Sequence, residues 1–191
     1  IMSKLYFKYG PMGCSKSAQA LMCRFNYIQK GYKVLLIKPS LDTRDNENNV
    51  TYIKSRIGLK AECITFRPDE SVMELYNKHK DSDVVIVDEC QFATKKQIEE
   101  LRDIAEIIPV ICYGLKTNFK TELFEGSKRL LELSDSITEL KSICKCGHKA
   151  IINARIVNGK VVTDGAEIVI GGDETYEAMC YSCFKKQREQ N

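Results

Sequence analysis

The sequence has no long apolar run and no marked excess of charge of either sign. No stretch approaches the roughly 20 consecutive apolar residues that a membrane-spanning helix needs, so we expect no membrane partner. Lys and Arg number 29 against 26 Asp and Glu, giving a formal net charge of +3, which is too small to indicate a nucleic-acid partner. No signal peptide precedes the first predicted strand, so we expect a cytoplasmic protein.

A disulfide framework is also not expected. The nine cysteines are odd in number, and they occur in a chain without an export signal. What the sequence does have is an ordinary globular composition, with 43% hydrophobic and 29% charged residues. Its 191 residues suit one sizeable α/β domain with a small appendage.

The first 115 or so residues alternate short apolar segments with amphipathic ones. Strands are predicted at 5–9, 34–37, 63–66, 83–88 and 109–113, and helices at about 16–30, 69–80 and 95–107. This alternation predicts a parallel sheet with helices on both faces. After Leu140 the chain changes to turn residues, cysteine pairs and short β-like segments. We therefore predict two domains, at 2–141 and 142–191.

The segment between the first strand and the first helix has the pattern of a phosphate loop. Residues 10–17 depart from G-x-x-x-x-G-K-[ST] at one position. Backbone N–H groups of such a loop surround phosphates, while Lys16 would pair with the β- and γ-phosphates and Ser17 would hold Mg²⁺. The alternative is a simple Gly-rich turn. The predicted ATP·Mg²⁺ site comprises Gly10, Pro11, Met12, Gly13, Cys14, Ser15, Lys16 and Ser17.

Ser15 is the departure, because it stands where the motif has glycine. A Cβ atom there is expected to crowd the phosphate or strain the loop, at a cost of about 1 kcal/mol. Gly13, two residues earlier, would restore some freedom. Two alternative consequences follow. Either Ser15 prevents ATP binding, or the phosphate loop tolerates serine at this position.

An acidic pair follows the most apolar predicted strand. Asp88 ends the run Val84–Val87 and can reach a metal ion, directly or through water. Glu89 comes next, where a carboxylate beside the γ-phosphate can act as a general base. An acidic helix-capping turn is the alternative. The base would activate water in an ATPase or a substrate hydroxyl in a kinase.

The segment Asp88-Glu89-Cys90-Gln91-Phe92 resembles the D-E-x-Q-F motif of the zinc-containing, P-loop (type II) thymidine kinases. Further segments resemble that family in the same order, and together they cover nearly the whole chain. They are Gly10–Met12 with Lys16-Ser17, Asp42–Arg44, Ser55–Gly58, Tyr113–Leu115 with Phe119, Phe124–Ser127, Cys144–Gly147, and Ile170–Gly172 with Tyr176 and Cys180.

The resemblance implies a RecA-like core and ATP-dependent 5′-phosphorylation of thymidine and deoxyuridine. Glu89 would take the proton of the 5′-hydroxyl. Additional ATP·Mg²⁺ contacts would come from Asp42, Thr43, Arg44, Asp88 and Gln91. The substrate would contact Met12, Phe92, Leu115, Phe119, Tyr176 and a lasso loop that includes Glu167, Ile168, Val169, Ile170 and Gly171.

The resemblance also implies a homotetramer. Asn118 stands where many family members carry an acid, so we expect an altered loop there. A P-loop ATPase, or a non-catalytic nucleotide-binding protein with a structural zinc module, is the alternative function.

Two cysteine pairs predict a metal site in the last third of the chain. Cys144-x-Cys146 and Cys180-x-x-Cys183 offer four thiolates, which suit a closed tetrahedral Zn²⁺ site without a catalytic position. The first pair has one spacer residue instead of two, a spacing that some of the similar kinases share. Four unligated thiols are the alternative, and His148 is a possible substitute ligand.

Overall fold

The computed structural model describes residues 4–40, 46–47, 50–165 and 175–189. The elements run in chain order as β1 Leu5–Tyr9, α1 Lys16–Gln29, β2 Val34–Pro39, β3 Asn46–Glu47, β4 Val50–Lys54, β5 Lys60–Glu62, β6 Ile64–Phe66, α2 Val72–Asn77, β7 Val84–Val87, a 3₁₀ turn Cys90–Phe92, α3 Lys95–Ile104, β8 Val110–Gly114, α4 Glu125–Leu133, β9 Ser136–Glu139, β10 Ser142–Ile143, β11 Lys149–Ala150, β12 Ile152–Val157, β13 Lys160–Val162, β14 Thr175–Met179 and α5 Tyr181–Glu189. No helix in these described ranges has the length and apolar character needed to cross a membrane.

Six strands form the main sheet, in the order β6-β2-β7-β8-β1-β9. Each neighbouring pair is parallel. The two central strands β7 and β8 are buried along their whole length, which explains their continuous apolar sequences. The predicted α/β class with a parallel sheet is confirmed.

Helices cover both faces of this sheet, as predicted. On one face α2, α3 and α4 bury residues such as Tyr76, Leu101 and Leu130 against the strands. On the other face α1 packs Ala20 and Leu21 onto the sheet. The carboxyl ends of β1, β7 and β8 therefore meet at one edge, between the two helical layers, where ligands bind in open parallel sheets.

Two predicted helices are shorter in the structure. The segment 69–80 is helical only at α2, because Ser71 accepts the N–H of Glu74 and so begins the helix there. The Glu100 carboxylate also accepts the N–H groups of Val72 and Met73. The segment 95–107 ends its helix at Ile104, and begins with a capping box formed by Thr94.

Two elements, α4 and β9, were not expected from the sequence. β9 lies at the edge of the sheet beside β1, and two of its four residues, Ile137 and Thr138, are exposed. An edge strand of this kind needs no continuous apolar run, so its sequence, Ser-Ile-Thr-Glu, lacks the signal of a buried strand.

The last third of the described chain builds two small antiparallel sheets, β10-β11 and β13-β12-β14. They enclose a separate apolar cluster with α5, formed by Cys144, Ala150, Ile152, Ala154, Val161, Met179, Cys180 and Phe184. The domain boundary between residues 141 and 142 stays a prediction.

Candidate active site

The phosphate loop, residues 10–17, joins β1 to α1 at the carboxyl edge of the sheet. The Lys16 ammonium group is buried and donates hydrogen bonds to the backbone oxygens of Gly10 (3.1 Å) and Pro11 (2.9 Å). It also lies 3.6 Å from the Cys14 sulfur. The loop thus holds a positive charge against its own backbone, at the N-terminus of a 14-residue helix.

Ser15 has a left-handed backbone, with φ of 64° and ψ of 29°. Gly13 also has a positive φ, of 78°. The left-handed region costs residues with a Cβ atom about 1–2 kcal/mol. The motif's glycine therefore matches a backbone requirement, and Ser15 meets the same requirement under strain.

A substitution series at Ser15 should reveal this strain. We expect Ser15→Gly to raise the free energy of unfolding by about 0.5–1 kcal/mol, since relief of the strain is partly offset by the freer unfolded chain. Ser15→Val should lower it by about 1 kcal/mol or more, because β-branched residues tolerate positive φ poorly. Urea denaturation of the purified variants measures both changes.

Ser15→Ala is the matched control for this series. Within the described residues the Ser15 hydroxyl makes no capping hydrogen bond to the first turn of α1, so its removal should leave stability nearly unchanged. If Ser15→Gly and Ser15→Val change the free energy of unfolding equally and in the same direction, backbone strain at Ser15 is not the cause.

Asp88 follows β7 and lies next to the phosphate loop. Its carboxylate is 3% exposed and accepts hydrogen bonds from the Ser17 hydroxyl and the Glu89 backbone. Its Oδ1 atom has no hydrogen-bond partner within the described part of the chain. Burial, and then the charge of Glu89, raise the pKa of Asp88 to about 7. A buried carboxylate oxygen without a partner is a natural ligand for a cation.

Glu89 is held in an unusual conformation beside Asp88. Its backbone is left-handed, with φ of 52° and ψ of 35°, and its carboxylate accepts a hydrogen bond from the Gln91 side-chain amide. The Gln91 side-chain oxygen accepts a hydrogen bond from the Leu115 N–H at 3.0 Å. Backbone strain that the surrounding structure maintains is often found at catalytic groups. Gln91 therefore orients Glu89 and ties it to the segment after β8.

Gly114 makes this arrangement possible. A Cβ atom at Gly114 would lie 2.7 Å from the Gln91 side-chain oxygen and 2.6 Å from the Cys90 sulfur. Both distances are too short for a carbon atom, so β8 must end in glycine for Gln91 to reach the Leu115 N–H. The predicted Tyr113–Leu115 motif thus has a steric reason.

The residues predicted to contact a nucleobase differ in exposure. The ring of Phe92 is half-buried and packs edge-on against Phe124, with ring centroids 5.6 Å apart. Phe119 is buried, and the Arg155 guanidinium lies 5.0 Å from its ring centroid. Met12 and Leu115 are half-buried.

Asn118 fixes the loop that carries Phe119. Its buried side-chain oxygen accepts the N–H groups of Lys120 (2.9 Å) and Glu122 (3.0 Å). A carboxylate could accept the same two bonds. Asn118 and an acidic residue at this position therefore offer the same acceptor for these two bonds.

Two predicted groups lie outside the described residues. They are Asp42, Thr43 and Arg44, and the lasso residues Glu167, Ile168, Val169, Ile170 and Gly171. Tyr176 is described, on β14, where it pairs in register with Arg155.

The four predicted cysteine ligands converge. Their sulfur atoms all lie within 4.8 Å of one another, and those of Cys146 and Cys180 are 3.5 Å apart. Sulfur ligands around tetrahedral zinc are about 3.8 Å apart, given Zn–S bonds of about 2.3 Å. The four cysteines can therefore hold a metal ion. His148 is exposed and lies 3.4 Å from the Cys146 sulfur, so the set of four is complete without it.

Hydrogen bonds within the cluster shift the cysteine pKa values in opposite directions. The backbone N–H groups of Cys146 and Cys180 lower the pKa of Cys144 to about 6. Hydrogen bonds to the other three thiols, Cys146 first, raise the pKa of Cys183 to about 12. A bound cation favours the thiolate form of all its ligands.

Three further polar residues near the site were not predicted as site residues. A guanidinium nitrogen of Arg56 lies 3.8 Å from where a Cβ atom on Gly13 would stand. Lys38 is 1% exposed, and its ammonium group donates a hydrogen bond to the Tyr52 backbone oxygen at 3.0 Å. Asn153 bonds the phosphate loop at Met12. A polar residue within an apolar strand was the available signal for Lys38 and Asn153.

A parallel sheet with a phosphate loop after β1 and an acidic pair after β7 is characteristic of P-loop nucleotide-binding proteins. Comparisons with known proteins narrow this class. A family profile described as thymidine kinase matches residues 3–184. The chain belongs to the thymidine kinase family.

Individual relatives match this chain over most of their length. A thymidine kinase of Zymomonas mobilis is 42% identical over 189 residues, which cover 96% of each chain. One from Enterobacteria phage T4 is 42% identical over 185 residues, or 94% of each chain. One from Rhodopirellula baltica is 39% identical over 191 residues, which cover 97% of this chain and 89% of the relative.

Proposed function

We propose that this chain is a thymidine kinase that transfers the γ-phosphoryl group of ATP to the 5′-hydroxyl of thymidine, and of deoxyuridine, in nucleotide salvage. The hydrogen bond between Ser17 and Asp88 carries the proposal from the structural side. It joins the phosphate loop to the acidic pair, and so assembles a donor site and a general base at one edge of the sheet. Membership of the family supplies the substrate.

The donor phosphates bind the loop of residues 10–17. Lys16 pairs with the β- and γ-phosphates, and the N–H groups at the start of α1 bind phosphate oxygens. Ser17 and Asp88 hold the Mg²⁺ ion that accompanies ATP, directly or through water. When bound, that ion neutralises charge on the phosphate oxygens. Asp42, Thr43 and Arg44 complete the phosphate contacts.

Glu89 accepts the proton of the 5′-hydroxyl as the oxygen attacks phosphorus. The Gln91 amide supports this role because it holds the Glu89 carboxylate in one orientation. A fixed base within reach of its proton contributes through both proximity and proton transfer.

The thymine base packs against Met12, Phe92, Leu115, Phe119 and Tyr176, since flat aromatic and apolar side chains suit a pyrimidine ring. Phe92 has a rigid support in Phe124. Residues 167–171 close over the base as a lasso, which excludes water and favours transfer over hydrolysis.

The cysteine cluster holds a structural Zn²⁺ ion, since four protein ligands leave no open position for chemistry. The zinc ion stabilises a C-terminal domain of residues 142–191, which follows the kinase domain of residues 2–141. The active protein is a homotetramer of the cytoplasm.

Initial rates of ADP formation from ATP·Mg²⁺ test this function. We expect thymidine and deoxyuridine to stimulate ADP formation by at least about tenfold, since a closed site excludes water as the acceptor. Cytidine and adenosine serve as control nucleosides and should not stimulate it. Equal rates with and without nucleoside would instead indicate an ATPase.

A further inference from the structure

The Asn153 side chain connects two functional segments that come from different parts of the chain. Its Oδ1 atom accepts the Met12 N–H of the phosphate loop at 2.7 Å. Its Nδ2 atom donates to the Thr117 backbone oxygen at 3.1 Å. The side chain is 4% exposed. The orientation of the amide is chemically determined, because an N–H needs an acceptor and a carbonyl needs a donor.

Each segment bound by Asn153 belongs to one half of the proposed site. The Met12 backbone lies between the glycines of the phosphate loop, on the ATP side, although the Met12 side chain is also proposed to contact the base. Thr117 lies between Leu115 and Phe119, on the nucleoside side. Their separation therefore affects the distance between the phosphoryl donor and the acceptor hydroxyl.

The strand that carries Asn153 leads directly to the cysteine cluster. Asn153 lies on β12, in register with Ala178 of β14, and β14 ends at Met179, immediately before Cys180. A displacement of the cysteine cluster would therefore be transmitted to the phosphate loop through the β12–β14 pair and the Asn153 side-chain amide.

We propose that Asn153 is a positioning residue that fixes the phosphate loop and the Thr117 segment relative to each other, and so couples the cysteine cluster to the active site. Its kinetic consequences rest on the proposed kinase function. Only a side chain with a donor and an acceptor at the same short reach can make both bonds. Aspartate has the same shape but lacks the donor, and alanine lacks both groups.

The two substitutions should have different effects. Asn153→Ala removes both bonds, so we expect hydrogen exchange of the Met12 amide to accelerate about tenfold or more. In the same variant, kcat/KM for thymidine should fall by about 10–100-fold. Asn153→Asp keeps the hydrogen bond to the Met12 N–H. At Thr117 it places a carboxylate oxygen opposite the backbone oxygen, and the two acceptors repel each other. It should keep Met12 protection and the ATP dissociation constant unchanged, and raise KM for thymidine about tenfold.

Asn158→Asp is the matched control, because it makes the same change at an exposed turn between β12 and β13. It should match the wild type in every measurement. The proposal is overturned if Asn153→Ala leaves Met12 exchange like that of this control. It is also overturned if both Asn153 variants lower kcat only in proportion to their folded fraction. Hydrogen exchange can be measured without turnover. If thymidine does not stimulate ADP formation by the wild type but Asn153→Ala still accelerates Met12 exchange, only the kinase function is contradicted.

Discussion

Replacing Glu89 with glutamine is expected to lower thymidine-dependent phosphoryl transfer by about 10²–10⁴-fold, the usual contribution of a general base. The substitution preserves the shape of the side chain, and the glutamine oxygen can still accept the Gln91 hydrogen bond. The left-handed backbone at residue 89 is also retained. The change therefore removes the proton acceptor and little else.

ATP binding separates this explanation from a general loss of structure. The proposed donor contacts come from the phosphate loop and not from Glu89, so Glu89→Gln should bind a fluorescent ATP analogue as the wild type does. Glu74→Gln is the matched control, because Glu74 is an exposed carboxylate on α2, and it should keep full activity. A Glu89→Gln enzyme with more than a tenth of wild-type kcat would show that another group takes the proton.

Replacing Cys144 with serine should abolish binding of the proposed zinc ion and destabilise the chain by more than about 3 kcal/mol, because structural zinc contributes directly to folding. For a chain of this size that corresponds to a decrease in melting temperature of roughly 6–12 °C. Cys144 is buried in the apolar cluster that α5 and β12 share, so the loss should unfold this cluster first. Atomic absorption and calorimetry measure the two effects.

Cys23→Ser is the control for the cysteine experiment. Cys23 is half-buried on α1, outside the four-cysteine cluster, and hydrogen-bonds the Tyr113 hydroxyl, a bond that serine can keep. This variant should retain one zinc ion per chain. If the wild-type protein contains no zinc, or if a strong chelator leaves its melting temperature unchanged, the cluster has no structural metal.

The central strands β7 and β8 of the main sheet could be predicted because they are buried along their whole length and have continuous apolar sequences. The phosphate loop and the Asp88-Glu89 pair could be predicted because their chemistry depends on neighbouring residues in the chain. By contrast, β9 has no such run. The left-handed backbone of Ser15 confirms the expected loop strain, while its effect on ATP binding stays a prediction.

Long-range contacts were harder to predict. The spacing of the cysteines indicated two pairs, but their convergence depends on the strand pairing that brings Cys180 beside Cys146. Asn153 gave only the weak signal of an amide within an apolar strand. Its two partners lie 141 and 36 residues away along the chain, and no local pattern encodes such distances.

The most direct test of the central claim is the stoichiometry of products in one reaction of the purified protein with ATP·Mg²⁺ and thymidine. Chromatography of the reaction should give one thymidine 5′-monophosphate for each ADP formed. ADP without thymidine 5′-monophosphate, or no turnover at all, would contradict the assignment of this chain as a thymidine kinase.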